Sequence, residues 1–196
     1  MSESKRLAVL GGDERQIFAA HTLAQNGFSV TLWGFGEQQV SVPTLSCADA
    51  WQATAATADA VILPIPVSFD AIHLQCPACT GFPLRLTAII DQMEQGILLG
   101  GKIPSSLRAY AEEKGIICVD YFDSEELQLR NAIPTAEGAI GIAMKELPVT
   151  LFGTSAAVIG YGRIGALLAQ RLKALGMRVY VYARRRDVLV SAELQS

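Results

Sequence analysis

The sequence predicts an α/β protein: a first domain built on a parallel sheet, a linking helix, and the opening of a second domain of similar design. Three observations predict it. Short apolar runs alternate with runs of helical spacing along the whole chain. Apolar residues make up 51% of the 196 residues, as suits strands covered on both faces. Late in the chain, Gly160-Tyr161-Gly162-Arg163-Ile164-Gly165 stands between a strand-like run and a helix-like run.

Residues 7–10, all apolar, form a buried strand. Gly11 and Gly12 turn it into a helix over 16–25, closed by Asn26 and Gly27, and 30–33 form a second strand. The turn carries two adjacent glycines followed by Asp13 and Glu14. Carboxylates at a helix start satisfy the free N–H groups themselves and repel a phosphate, so this unit is expected not to hold a dinucleotide. A third strand, 60–63, ends in Pro64-Ile65-Pro66, which stops the ladder on the ligand side of a parallel sheet. After a loop over 67–85 come a short helix (87–95), a fourth strand (96–99), a helix opened by Pro104 and running to Lys114, and a fifth strand (116–119). Five strands alternating with helices make a flavodoxin- or Rossmann-like sheet. A short helix over 123–130 follows, then a linking helix that begins at Pro134, puts Ile140, Met144 and Leu147 on one face, and stops at Pro148. The predicted domains are therefore 1–147, including the linking helix, and 148–196.

In the second domain each glycine of the fingerprint has a physical task. Gly160 permits the tight turn, Gly162 lets the backbone approach a pyrophosphate, and Gly165 lets the helix pack close to the strand. The phosphates would lie on free N–H groups at the positive end of the helix, which runs from Ile164 to Leu175 and is closed by Gly176. The plainer alternative is a turn that merely happens to be glycine-rich. The next strand, 178–183, runs into Arg184-Arg185-Arg186. A NAD-binding unit has an acid about 20 residues beyond the motif, on the ribose 2′-OH. Arginine there suits the 2′-phosphate of NADP, so Arg184 and Arg185 are read as its holders. A solvated basic run is the bland alternative. Only strand, helix, strand and a helix start are present, so the sequence is expected to be a fragment of a longer protein with an incomplete second domain.

Net charge is −3, which offers no basic field for nucleic acid. No apolar run is long enough for a membrane span, and the start of the chain does not look like a signal peptide. Cys47, Cys76, Cys79 and Cys118 are expected to be reduced thiols in a cytoplasm. Cys76-x-x-Cys79 has no second ligand pair, so no metal is expected. His21 and His73 are the only histidines and make no recognisable triad. Candidate substrate residues flank the expected cleft between the two sheets. They are Ser105 after Lys102, and Asn131, Thr135 and Glu137 at the start of the linking helix, where free N–H groups would receive a carboxylate. Simple capping by Ser105 and Thr135 is the alternative. The residues identify no general base, and they leave the oligomeric state open, a homo-oligomer included.

Four stretches together resemble one family: Val9-Leu-Gly-Gly-Asp-Glu-Arg-Gln16, Ile62-Leu-Pro64, Asn131-Ala-Ile-Pro-Thr-Ala-Glu-Gly138 and Val158-Ile-Gly-Tyr-Gly-Arg-Ile-Gly165. The family is that of the dipicolinate synthase A subunits of spore-forming bacteria. The likeness runs along essentially the whole chain. Its linker motif is the most specific part, and family members are longer. The resemblance implies NADP-dependent oxidation of a small dicarboxylate, dihydrodipicolinate from the lysine branch, to dipicolinate. It also implies that the partner is a flavoprotein-like second subunit, and that the work is done in the cytoplasm of the mother cell during sporulation. A 2-hydroxyacid dehydrogenase-like enzyme shares the two-sheet plan and stays open, as does a non-catalytic NADP-sensing or scaffold subunit.

Overall fold

A computed structural model describes residues 4–36, 45–79, 81 and 83–194. The chain divides into two compact units, Met1–Asp123 and Ser124–Ser196. The sequence predicts a boundary after residue 147; the structure sets it before the linking helix. The reason is packing: Ile140 and Ala143 of that helix lie against the core of the second unit, formed by Leu151, Val158, Ala169, Leu172 and Met177.

The first unit holds β1 (Arg6–Leu10), α1 (Glu14–Gln25), β2 (Ser29–Trp33), β3 (Ser46–Cys47), α2 (Trp51–Thr57) and β4 (Ala60–Ile62). It continues with α3 (Leu86–Gln92), β5 (Ile97–Gly100), α4 (Ser105–Glu113) and β6 (Ile117–Asp120). All its strand pairs are parallel, in the order β3-β2-β1-β4-β5-β6. The five strands read from the sequence are present. The edge strand β3 and the helix α2 are additional, and β3 completes the Rossmann order, with its switch point between β1 and β4. Alternation along β1 builds both faces. Ala8 and Leu10 join the core made with α2, α3 and α4, while Leu7 and Val9 join the one made with α1.

The second unit holds α5 (Glu125–Glu146), β7 (Ser155–Ile159), α6 (Arg163–Ala174), β8 (Arg178–Tyr182) and α7 (Arg186–Leu194). β7 and β8 pair in parallel with α6 as the crossover. The sequence predicts two helices broken before Pro134; the structure has one helix of 22 residues with Pro134 inside it. Proline at that place leaves one intrahelical bond unmade. Ala132 and Ala136, 1% and 0% exposed, bury the face on either side of it. Arg171 of α6 ties the same segment down, donating to the Ile133 carbonyl at 3.0 Å and pairing with Glu137 at 3.2 Å.

Candidate functional site

The turn between β7 and α6 has the geometry a dinucleotide needs. Gly160 has φ +101°, which other residues avoid. A Cβ on Gly165 would lie 2.0 Å from the Gly160 carbonyl oxygen, so the helix start and the turn can approach only because residue 165 has no side chain. A Cβ on Gly162 would meet nothing within 4 Å, which leaves open space where a pyrophosphate approaches. Gly162 is the N-cap of α6, no side chain caps it among the described residues, and the first turn contains no acid. The first N–H groups of the helix thus remain available to an anion. Tyr161 packs against the core of this unit, and Ile164 is exposed.

The arginines of the site divide into engaged and unengaged. Arg163 forms a two-pronged pair with Glu125, its Nε donating at 2.9 Å and its Nη2 to the other oxygen. This pairing holds the Glu125 carboxyl below its usual range. Arg185 is held by Asp187 in the same manner, with Nε at 3.2 Å. Arg184, just beyond the carboxyl end of β8, is exposed and has no ion pair among the described residues.

The first unit treats its equivalent turn differently. Asp13 caps α1, accepting from the Arg15 amide at 3.0 Å, while Gln16 accepts from the Asp13 amide at 3.1 Å. The Arg15 guanidinium grips the same carboxylate at 2.9 and 2.8 Å and also donates to the Ile65 carbonyl at 3.0 Å. That guanidinium pulls the Asp13 carboxyl downward. The free N–H groups and the positive end of α1 are therefore answered from within the chain. The loop from β4 also covers this turn, Gly12 donating to the Gln75 carbonyl at 2.8 Å.

Two family descriptions match, and the first decides the family. It is the N-terminal domain of the dipicolinate synthase A subunit, and it covers residues 6–122. The chain belongs to the family of dipicolinate synthase A subunits. The second, "D-isomer specific 2-hydroxyacid dehydrogenase, NAD binding domain", covers residues 118–195 and so takes in α5 with the glycine turn, in agreement with the structural division. The second unit is thus a nicotinamide-dinucleotide-binding unit. A curated relative, the dipicolinate synthase A subunit of Bacillus subtilis (strain 168), is 25% identical over 180 residues, which are 91% of this chain and 61% of the relative. The crystal structure of the dipicolinate synthase A subunit from Bacillus halodurans aligns with TM-score 0.81 at 25% identity, covering 97% of this chain and 66% of that one. The crystal structure of its Bacillus subtilis counterpart aligns with TM-score 0.77 at 24% identity, covering 100% and 66%. The chain therefore spans less than two thirds of the length of these relatives.

Although the family is the expected one, three of the substrate residues expected from sequence, Asn131, Thr135 and Glu137, are not at the helix start their chemistry requires. Asn131, Thr135 and Glu137 lie in mid-helix rather than at a helix start, so their amides are inside the α5 ladder. The Thr135 hydroxyl donates back to the Asn131 carbonyl at 2.7 Å, and Glu137 is paired with Arg171. Ser105 opens α4, yet no side chain caps that helix. The segment before it is instead held by Asp120, which accepts from the Lys102 and Ile103 amides at 3.1 and 2.7 Å. The capping expected of Ser105 and Thr135 is not formed, and the helix start expected around Thr135 is absent.

The thiols also differ from expectation. Cys76 and Cys79 form a disulfide, because the loop reverses and brings their Cα atoms to 5.4 Å, within disulfide reach. Cys47 and Cys118 remain thiols, and burial pushes the Cys118 thiol upward. Among the described residues no group of three metal-ligating side chains occurs, and no helix is long and apolar enough to cross a membrane. One cluster was not foreseen. In the loop leaving β4, Asp70 accepts from Ser68, from the Ile72 and His73 amides and from the His73 ring. A Ser-x-Asp-x-x-His spacing was the sequence signal for it.

Proposed function

We propose that the chain is the larger part of an NADP-dependent oxidoreductase, the A subunit of a dipicolinate synthase, which oxidises dihydrodipicolinate to dipicolinate. Its partner would be a flavoprotein-like second subunit, and its setting the cytoplasm of a sporulating cell. The observation that carries the reading is the uncapped, acid-free start of α6 beneath the Gly160–Gly165 turn, in a chain of this family. The amides after Gly162 hold the pyrophosphate. Of Arg184 and Arg185, the two read as holders of the 2′-phosphate, only Arg185 has an ion pair among the described residues, and Arg184 grips the 2′-phosphate. When bound, the nicotinamide supplies the hydride acceptor. The polypeptide's contribution is orientation: it holds two carboxylates and aims one ring carbon at the cofactor.

The experiment joins the complete protein with its partner subunit, dihydrodipicolinate and NADP. Expected are the ultraviolet absorbance of an aromatic pyridine and reduced nicotinamide in equal amounts. R184D should weaken NADP binding by roughly tenfold or more, the loss of one charge-assisted contact of about 1.5–3 kcal/mol. NAD binding should stay within about threefold, under ~0.7 kcal/mol. Absence of pyridine product would overturn the substrate assignment, and equal affinities for the two cofactors before mutation would overturn the role of Arg184. The match to the 2-hydroxyacid dehydrogenase NAD-binding domain favours one second reading, a 2-hydroxyacid as substrate. Reduction of NAD or NADP by such an acid, without dihydrodipicolinate, would support it.

A further inference from the structure

The loop leaving β4 carries a Cys-Pro-Ala-Cys turn, and the chain before that turn is pinned without help from sulfur. Gln75 donates to the Val67 carbonyl at 2.9 Å and accepts from the Gly12 amide at 2.8 Å. Leu74, 6% exposed, is buried in the core of the sheet. The turn then closes on its own bond, Cys79 donating to the Cys76 carbonyl at 3.1 Å. Pro77 holds the second position of the turn, where its fixed φ suits the bend. The backbone therefore sets the two cysteines side by side, and the disulfide links residues that are already neighbours.

The seat beneath the sulfurs is bare backbone. Gly34, just past β2, has φ +88°, and a Cβ there would lie 2.7 Å from Cys76 Sγ and 3.1 Å from Cys79 Sγ. Cys76 Sγ is 3.4 Å from the Gly34 carbonyl oxygen, within reach of an S–H donor once the link is open. Both cysteines are half-buried rather than sealed, so a small thiol can reach them. Pro77 and Ala78 also line a cavity of about 520 Å³, together with Gly12, Asp13, Arg15 and Phe35, all within the first unit. Among the described residues no helix begins at the turn, and the Arg15 guanidinium of the same cavity is held by Asp13. A thiol that attacks other disulfides is activated by a helix start or by a nearby cation. The pair is therefore built to receive thiol exchange, not to catalyse it.

We propose that Cys76 and Cys79 are a reversible dithiol–disulfide site, opened by a thiol reductant and closed by a disulfide oxidant. An accessible disulfide is the labile kind. The reductant's thiolate attacks Cys79 Sγ, the bond between the two protein sulfurs breaks, and a mixed disulfide forms. Cys76 leaves as thiolate, takes a proton from water and donates it to the Gly34 carbonyl. A second thiolate attacks the reductant's sulfur in the mixed disulfide and releases Cys79, which is protonated in turn. The protein gains two electrons and two protons, and two thiols become one disulfide. The backbone bonds of Gln75 and Cys79 do not involve sulfur, so the fold survives the exchange. What changes is the wall of the cavity, cross-linked in one state and bearing two thiols in the other.

Counting reactive sulfurs by mass tests this on the chain as it stands. It has four cysteines, of which Cys47 and Cys118 are thiols in the structure. Protein equilibrated with oxidised glutathione, then denatured in maleimide, should carry two adducts, whether maleimide or glutathione. After millimolar dithiothreitol it should carry four, and a return to oxidised glutathione should restore two. The circular-dichroism spectrum recorded before denaturation should be the same in both states. C76S and C79S, with one cysteine fewer, should each carry three adducts under oxidising conditions, which assigns the missing pair to this turn. Four adducts on the wild type after oxidised glutathione would overturn the proposal, because the pair would not close. Two adducts that persist in folded protein under dithiothreitol would overturn it as well, as would a rise to four only with loss of the helix signal. In either case the bridge would be a fixed staple.

Discussion

Gly162 and Gly165 lie three residues apart and should fail in different ways when given a side chain. Alanine at 165 would bring its Cβ to 2.0 Å from a backbone oxygen, which no rotamer can relieve. G165A should therefore destabilise the second unit by about 1–3 kcal/mol, the usual range for an overpacked site. At 162 the space is open and φ is −88°, which alanine adopts freely. G162A should cost under about 1 kcal/mol, the difference between glycine and alanine at an N-cap. Dinucleotide affinity should nonetheless fall by tenfold or more, because the methyl group occupies the approach to the phosphates. Urea denaturation paired with calorimetric titration separates the two effects; a G162A variant that binds like wild type would remove the phosphates from this turn. The sequence makes both glycines legible, because strand, turn and helix all surround them. It does not make the pairing of His73 with Arg85 legible, because a bridge between residues 73 and 85 is a fact of loop packing that no periodicity carries.

α5 shows what local signals can and cannot say about an element. Proline suits the first turn of a helix, so Asn131-Ala-Ile-Pro134 looks like an entry. The same ring is tolerated in the interior when burial on both sides outweighs a missing bond. Ala132, Ala136 and the Arg171 contacts supply that burial and anchoring, and they belong to tertiary structure, which the local pattern does not contain. P134A should then stabilise the second unit by about 1–3 kcal/mol, since it restores the bond to the Arg130 carbonyl and removes a poor helix former. Chemical denaturation followed by helix circular dichroism measures it. A destabilised P134A would mean that α5 needs a bend at this point. β3 and α2 were illegible for the opposite reason. β3 has two residues, and α2 buries only Thr54 and Ala55, so neither carries an apolar stripe long enough to register.

At the scale of the molecule, the two units differ in how much of their own apolar surface they cover. The first closes six strands between cores on both faces, with Leu10, Leu32, Leu63 and Leu98 fully buried. The second has a two-stranded sheet on which Ile159, Tyr180 and Tyr182 remain 83%, 64% and 65% exposed. Two strands and one small core give marginal independent stability, whereas a six-stranded, doubly covered sheet does not need help. Residues 1–123 expressed alone should therefore unfold in one cooperative urea transition, with a slope of about 1–3 kcal/mol/M. Residues 124–196 alone should show a broad, low-cooperativity loss of helix signal and bind a dye for exposed apolar surface. The reverse outcome, a molten first unit and a cooperative second, would mean that the sheet order β3-β2-β1-β4-β5-β6 is held from outside rather than by its own two cores.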